Sequence, residues 1–283
     1  MQNFFSLDEN FNTIIKNALK ENFNSQEVLN MEQISTGWTN IVYKVKADNG
    51  TYYFRFPRDE FWERTIVKDY EFAKYIKGKT SFNTVDLKLG IDNDRPFSIH
   101  KEIPGKPLAE VMDTLSKEDI EKVSGQIAKF MYELHTAKYD KDKVFDSADN
   151  IGVHLNDFIT ELLEKHVSDE DLKFWKVSDF KTKDNENLCL VHGDLNSSNV
   201  LLDENNNVTA IIDFGFGGFG NKYFDISRII GRCPVSFKEP IIKAYQKLEE
   251  DSLNKDEVEK NINTWSNIDQ GYINYMRTIG IYS

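Results

Sequence analysis

The sequence predicts an α+β fold of two lobes, an N-terminal antiparallel sheet with helices and a larger, mainly helical C-terminal lobe. Three observations carry this. The chain has 283 residues, 40% of them apolar and 13% aromatic, enough to fill two cores. Apolar residues alternate with period two in the first third of the chain. Beyond Pro104-Gly105-Lys106-Pro107, which cannot continue a central strand or a helix interior, they recur with period 3.6. The lobes therefore span 1–103 and 108–283, with a linker over 104–107.

Ser6 with Glu9 has the form of a capping box, and Leu7, Phe11, Ile14, Ile15 and Ala18 follow at helical spacing, so a helix opens the chain. The runs Ile41/Tyr43/Val45 and Tyr52/Phe54/Phe56 flank Asp48-Asn49-Gly50, whose Asn-Gly step suits the positive φ angles of a hairpin. A helix over Thr65–Ile76 follows, then strands near Asp86–Ile91 and Phe97–Ile103 joined by Asp92-Asn93-Asp94. In the second lobe Ile120, Val123, Ile127, Phe130, Met131 and Leu134 share one helix face behind Ser116, the expected N-cap. Further helices are expected around Leu155–Leu163, Ile241–Leu248 and Val258–Ile279, with short strands at Leu188–Val191 and Val208–Ile212.

The net charge of −12 opposes binding to a phosphate backbone, so no nucleic-acid partner is expected, and it favours a cationic small ligand or simply solubility. Cys189 and Cys233 form neither a CxxC pair nor a disulfide framework. No apolar run approaches the ~18 residues of a membrane span, and no basic leader precedes an apolar stretch. A cytoplasmic monomer without a membrane partner is expected.

Chemistry concentrates in His192-Gly193-Asp194-Leu195-Asn196-Ser197-Ser198-Asn199, between one apolar strand and the next, Val200-Leu201-Leu202. Phosphoryl transfer needs a carboxylate to orient the attacking hydroxyl and accept its proton, and hard oxygen ligands to hold Mg²⁺ on the phosphates. Asp194 and Asn199, five residues apart, supply both kinds. Nineteen residues after Asp194, Ile211-Ile212-Asp213-Phe214-Gly215 sets a carboxylate at a strand end, which makes Asp213 a second metal ligand. Singly these are ordinary polar turns. Together, an HxDxxxxN loop followed by strand-DFG is the signature set of kinases.

On these residues the chain resembles the aminoglycoside phosphotransferase and choline kinase family of the protein-kinase-like fold, whose HGDxxxxN motif has glycine, here Gly193, where protein kinases have arginine. Phe54-Arg55-Phe56-Pro57, and Phe97–Leu108 with the helix ending Glu133-Leu134-His135, look most like the aminoglycoside 2''-phosphotransferases. The resemblance runs from about Ile34 to Arg228 and is weakest beyond, where acceptor specificity usually sits in this family. It implies Asp194 as catalytic base, Asn199 and Asp213 as Mg²⁺ ligands, and ATP or GTP as donor. Ser35-Thr36-Gly37-Trp38-Thr39-Asn40 resembles the loop over the triphosphate, with Ser35, Thr36, Gly37, Thr39 and Asn40 as binding residues, although one glycine stands there instead of GxGxxG. Arg55 stands where many members place the phosphate-pairing lysine, and its fork has a different reach. Its carboxylate partner is Asp69 or Glu71, of which spacing to Phe72, Ala73 and Ile76 favours Asp69. Backbone groups of Lys101 and Ile103 resemble the hinge that meets the purine. Asp225 resembles the family's buried carboxylate bracing the catalytic loop, or it is an N-cap of a helix over Ile226–Ile230.

Gly215-Phe216-Gly217-Gly218-Phe219-Gly220 also satisfies GxGxxG, with Glu239 downstream, but the remaining 63 residues lack the strands of a dinucleotide-binding sheet. A protein kinase is disfavoured because the interval from Asp213 to Asp225 is too short for an activation segment and no Ala-Pro-Glu follows. The expected function is phosphorylation of a hydroxyl on a cationic small molecule, an aminoglycoside first, with a choline- or ethanolamine-like or other metabolite as alternative. A non-catalytic nucleotide-binding pseudokinase is the remaining reading. Trp265, Tyr272 and Tyr275 form either a cation–π wall for such an acceptor or ordinary helix packing.

Overall fold

A computed structural model describes residues 11–25, 27–34, 39–139, 164, 188–250 and 253–278. The expected capping box at Ser6, the loop residues Ser35, Thr36, Gly37 and Trp38, and the helix expected around Leu155–Leu163 lie outside these residues. In chain order the first lobe holds α1 (Phe11–Phe23), β1 (Val28–Ile34), β2 (Asn40–Ala47), β3 (Gly50–Pro57), α2 (Glu60–Ile76), β4 (Lys88–Asp92) and β5 (Arg95–Lys101). Then come β6 (Lys106–Pro107), α3 (Leu108–Val111), α4 (Lys117–His135), β7 (Cys189–Val191), β8 (Val200–Leu202), β9 (Val208–Ile211), β10 (Gly218–Gly220), α5 (Tyr223–Gly231), α6 (Lys238–Glu249) and α7 (Lys255–Thr278).

The first lobe is a five-stranded antiparallel sheet in the order β1-β2-β3-β5-β4. Its alternating residues Ile41, Tyr43, Val45, Tyr52, Phe54 and Phe56 bury one face against Phe11, Ile15, Ala18 and Leu19 of α1. In the hairpin Ala47 pairs with Gly50, so Asp48 and Asn49 are the loop and the positive φ, 150°, falls on Gly50 alone. The expectation of positive φ across Asn49-Gly50 is corrected by one residue. Asn49 is used differently: its Nδ2 donates to the Phe23 carbonyl at 2.8 Å and ties the end of α1 to the turn.

Helix α2 starts earlier than its apolar spacing suggested, because Asp59 caps it by accepting from the Trp62 amide. Its inner residues Phe72, Ala73 and Ile76 belong to the second lobe's core, together with Val123, Ile127 and Leu134 of α4 and with Phe214. This helix therefore carries side chains from the sheet to the other lobe. Ser116 caps α4 by accepting from Asp119 N at 3.1 Å.

Two short antiparallel ladders then place the loops that carry the motifs. Residues 192–199 connect β7 to β8, and residues 212–217 connect β9 to β10. β7 pairs with β10 and β8 with β9, so the two loops enter and leave side by side. The same pairing removes the dinucleotide-binding alternative, because Gly218-Phe219-Gly220 form a strand antiparallel to β7 and not a loop opening a helix. Among the described residues no helix is long and apolar enough to cross a membrane.

Candidate active site

The 192–199 loop is held from below by one carboxylate. Asp225, fully buried in α5, accepts from His192 N at 2.8 Å and Gly193 N at 2.9 Å, and its Oδ2 lies 3.1 Å from His135 Nε2. Burial works against the charge of Asp225, yet its bonds to His135 and the loop amides hold the carboxyl below the usual carboxylate range. The N-cap alternative is corrected: Asp225 sits inside the helix, whose N-cap position is Lys222.

His192 joins the two loops. Its Nδ1 accepts from Asp194 N at 3.3 Å, which leaves the proton on Nε2, 3.0 Å from the Ile212 carbonyl. Ile212 N donates in turn to Asn199 O at 3.0 Å. Within the first loop Asn196 and Asn199 donate side-chain Nδ2 to the Asp194 carbonyl, at 3.2 and 3.0 Å, and fold the chain into a short 3₁₀ turn over Ser197–Asn199.

Gly193 has φ of 80°, and a Cβ there would stand 2.1 Å from the Phe216 carbonyl oxygen of the second loop. Close approach of the loops thus requires glycine, which gives the physical reason for HGD in place of a bulkier sequence. Gly193→Ala is expected to destabilise the fold by about 2–5 kcal/mol, from left-handed strain plus overpacking. A denaturant melt checks this, and an unchanged midpoint would contradict so close an approach of the two loops.

Asp213 follows β9 with φ of 66°, a conformation that aspartate tolerates better than most residues. Arg55 of β3 reaches across to it, with Nη2 2.8 Å from Asp213 Oδ1, while Nη1 pairs with Asp69 Oδ2. The carboxylate opposite Arg55 is Asp69, and Glu71 is not part of this pairing. Asp69 has a second task that spacing did not reveal: its Oδ1 accepts from Phe214 N at 2.8 Å, so α2 pins the second loop. Burial lifts the Asp69 carboxyl above its usual range despite Arg55. Burial also opposes the charge on Asp213, but there the Arg55 guanidinium prevails and holds the carboxyl low. Burial thus prevails at Asp69 and the guanidinium at Asp213, so the two carboxyls shift in opposite directions.

These loops open on a cavity of about 510 Å³. Thr39, Asn40, Arg55, Asp194, Asn199 and Asp213 all line it. Asn40 is buried there, and its Oδ1 has no partner among the described residues. Asp69 is not in the wall but stands behind Arg55. Lys101 and Ile103 do not line this cavity either. Lys101 is the exposed last residue of β5, and its carbonyl lies 3.0 Å from His100 Nδ1. Ser35, Thr36 and Gly37 lie outside the described residues.

The donor set of Asp213 carboxylate and Asn199 amide oxygen fits Mg²⁺, which takes few protein oxygens and completes its shell with phosphates and water. Asn199 Nδ2 is engaged by the Asp194 carbonyl, so its amide oxygen is the end left for a ligand. No cluster of three metal-binding acids, histidines or cysteines exists among the described residues.

Three charged residues of the wall escaped the sequence reading: Arg228 and Arg232 at the end of α5, and Asp269 of α7. The available signal was that Arg228 follows Asp225 by three, on the helix face that braces the loop. Trp265 does line the cavity, but the cation over its ring, at 4.5 Å, is Arg228 of this chain. It is also packed as a core residue, 5% exposed with Nε1 donating to Phe224 O at 3.1 Å. The side chains of Tyr272 and Tyr275 lie outside the described set.

Comparison with known proteins agrees with this arrangement. The model of the phosphotransferase enzyme family, APH, matches residues 30–255. Among solved structures, an APH(2″) enzyme in complex with GDP and kanamycin is similar at 19% identity and a TM-score of 0.71, covering 94% of this chain and 93% of that one. The streptomycin-ATP ternary complex of APH(2″)-IIa is similar at 20% identity and TM-score 0.62, covering 91% and 89%. The macrolide 2′-phosphotransferase MphH from Brachybacterium faecium, an apoenzyme, is similar at 15% identity and TM-score 0.62, covering 95% and 93%. With four-fifths of its length inside the family match, this two-lobed chain belongs to the APH phosphotransferase enzyme family and is an enzyme of kinase type.

Proposed function

We propose that the chain transfers the γ-phosphoryl group of ATP or GTP to a hydroxyl of a small molecule, with an aminoglycoside as the leading acceptor. The observation that carries this reading is that Asp194, Asn199 and Asp213 line one cavity together with Arg55. Asp194 Oδ1 is held by Arg228, so Oδ2 is the oxygen that receives the hydroxyl proton. As the acceptor oxygen bonds to the γ-phosphorus, the bond from that phosphorus to the β-phosphate bridging oxygen breaks, and the nucleoside diphosphate leaves. Asn199 and Asp213 hold Mg²⁺, which when bound neutralises charge building on the phosphate oxygens. Arg55, Thr39 and Asn40, with Ser35, Thr36 and Gly37 of the preceding loop, fix the phosphates; Lys101 and Ile103 are assigned to the purine. The intact acid–amide–acid set speaks against a pseudokinase.

Two observations favour a cationic acceptor and a third opposes it. Solved neighbours of this fold were captured with kanamycin, streptomycin and gentamicin, and the chain as a whole carries −12. In the described cavity wall, however, each carboxylate is paired with an arginine: Asp213 with Arg55, Asp194 with Arg228, and Asp269 with both Arg228 and Arg232. Paired carboxylates attract a polycation less than free ones. That pairing favours a second reading, a neutral or singly charged acceptor such as a macrolide or a metabolite of choline type. The deciding experiment incubates the protein with Mg²⁺, ATP or GTP, and a panel of kanamycin, gentamicin, streptomycin, a macrolide, choline and ethanolamine, reading one added phosphoryl group by mass spectrometry. Phosphorylated kanamycin or gentamicin is the expected result. Phosphorylation of the macrolide, choline or ethanolamine with none of the three aminoglycosides modified would remove the aminoglycoside assignment, and no product with either nucleotide and any acceptor would count against a small-molecule kinase.

A further inference from the structure

The loop that carries Asp194 contains no lysine or arginine: Leu195, Asn196, Ser197 and Ser198 follow it. A carboxylate on such a loop turns easily about its last torsion, a broad two-fold rotation. One guanidinium from another element restrains it. Arg228 Nε donates to Asp194 Oδ1 at 2.7 Å, and its Nη1 donates to Asp269 Oδ2 at 2.7 Å. The Cζ of the same guanidinium lies over the Trp265 ring, 4.5 Å from its centroid. Arg228 is itself buried, its side chain 8% exposed against 22% for Asp194. Burial disfavours its charge, but Asp194 and Asp269 outweigh this and hold it protonated.

We propose that Arg228 is the positioning residue of the candidate base: it fixes one oxygen of Asp194 so that the other faces the attacking hydroxyl, and Trp265 and Asp269 of α7 hold it there. The inference rests on the phosphotransfer reading above. Orientation is the property that matters, because the transition state of phosphoryl transfer is loose and asks little of base strength. A fork with two N–H directions and a stacking face meets all three contacts at once, which the single ammonium of a lysine cannot. Helix α5 thereby sets both parts of the loop, its backbone through Asp225 and its reacting side chain through Arg228 one turn later. Helix α7, at the edge of the cavity, acquires an effect on turnover through Asp269, which Arg232 also contacts at 2.5 Å.

The test uses water as the attacking hydroxyl, so it needs no known acceptor. Phosphate release from Mg-ATP and Mg-GTP is measured for the unmodified protein, Arg228→Lys, Arg228→Ala and Asp269→Asn, with nucleotide affinity read separately from fluorescent nucleotide binding. Arg228→Ala is expected to slow release by about 10–100-fold, the usual effect of removing a group that orients a functional ligand. Nucleotide affinity is expected to stay unchanged, and added guanidinium ion is expected to restore part of the rate. Arg228→Lys and Asp269→Asn, which keep the site filled, are expected to fall between. Unmodified rates in Arg228→Ala or in both milder variants would overturn the proposal. So would a parallel loss of rate, affinity and thermal midpoint without rescue, the mark of a merely structural residue. Absence of hydrolysis by the unmodified protein with either nucleotide, together with no product from the acceptor panel, would instead remove the phosphotransfer reading, and the inference with it; with an acceptor found, the same variants are compared on its phosphorylation.

Discussion

Asp194→Asn is expected to lower kcat by about 10²–10⁴ while the nucleotide dissociation constant stays within about twofold. Asparagine has the same shape, and its amide oxygen still accepts from Arg228 Nε, so the loop keeps the hydrogen bonds that Asn196 and Asn199 make to the residue's carbonyl. Lost is the capacity to accept the hydroxyl proton. Initial rates with saturating nucleotide, set beside fluorescent nucleotide titration, separate the two effects. Full turnover in this variant would remove Asp194 from the chemistry and leave the cavity a binding site only.

Asp213→Asn is expected to reduce turnover by about 10²–10³ through lost electrostatic stabilisation of the phosphates. It is also expected to abolish most of the Mg²⁺ dependence of nucleotide binding. The substitution is chosen because asparagine tolerates the φ of 66° at this position. Arg55 keeps its pairing with the buried Asp69, so the protein is expected to melt near the unmodified temperature. Folding loss and ligand loss are thus kept apart. Nucleotide titrations with and without Mg²⁺ check the result. A variant that still tightens its nucleotide on adding Mg²⁺ as the unmodified protein does would show that Asp213 is not a metal ligand.

The parts of this molecule that were legible in the sequence are those written in local patterns. Period-two runs gave β2 and β3, period 3.6 behind Ser116 gave α4, and the two motif loops were legible because phosphate chemistry needs particular residue types at fixed spacing. β1 was not visible as a run because it is a sheet edge: its burial does not alternate, and Leu29 is left half exposed. α2 began at a cap, Asp59, that lies ahead of the apolar stripe from which the helix was read. The pairing of Asp69 with Arg55 was suggested by spacing, but its bond to Phe214 N joins residues 145 apart in sequence and has no local signature. Arg228, Arg232 and Asp269 belong to the same class. Each sits on an ordinary helix, and its place in the cavity depends on how α5 and α7 pack. Whole-chain charge was a poor guide to that wall, because it does not record which acids are already paired.

The proposed phosphotransfer has two loops present their oxygens to one metal–nucleotide complex, and crystals grown with Mn²⁺ and a non-hydrolysable ATP or GTP analogue test this most directly. The expected result is an anomalous peak about 2.0–2.3 Å from both Asp213 and Asn199, with the γ-phosphate between it and Asp194. A nucleotide bound outside this cavity, or a metal beside neither residue, would contradict it.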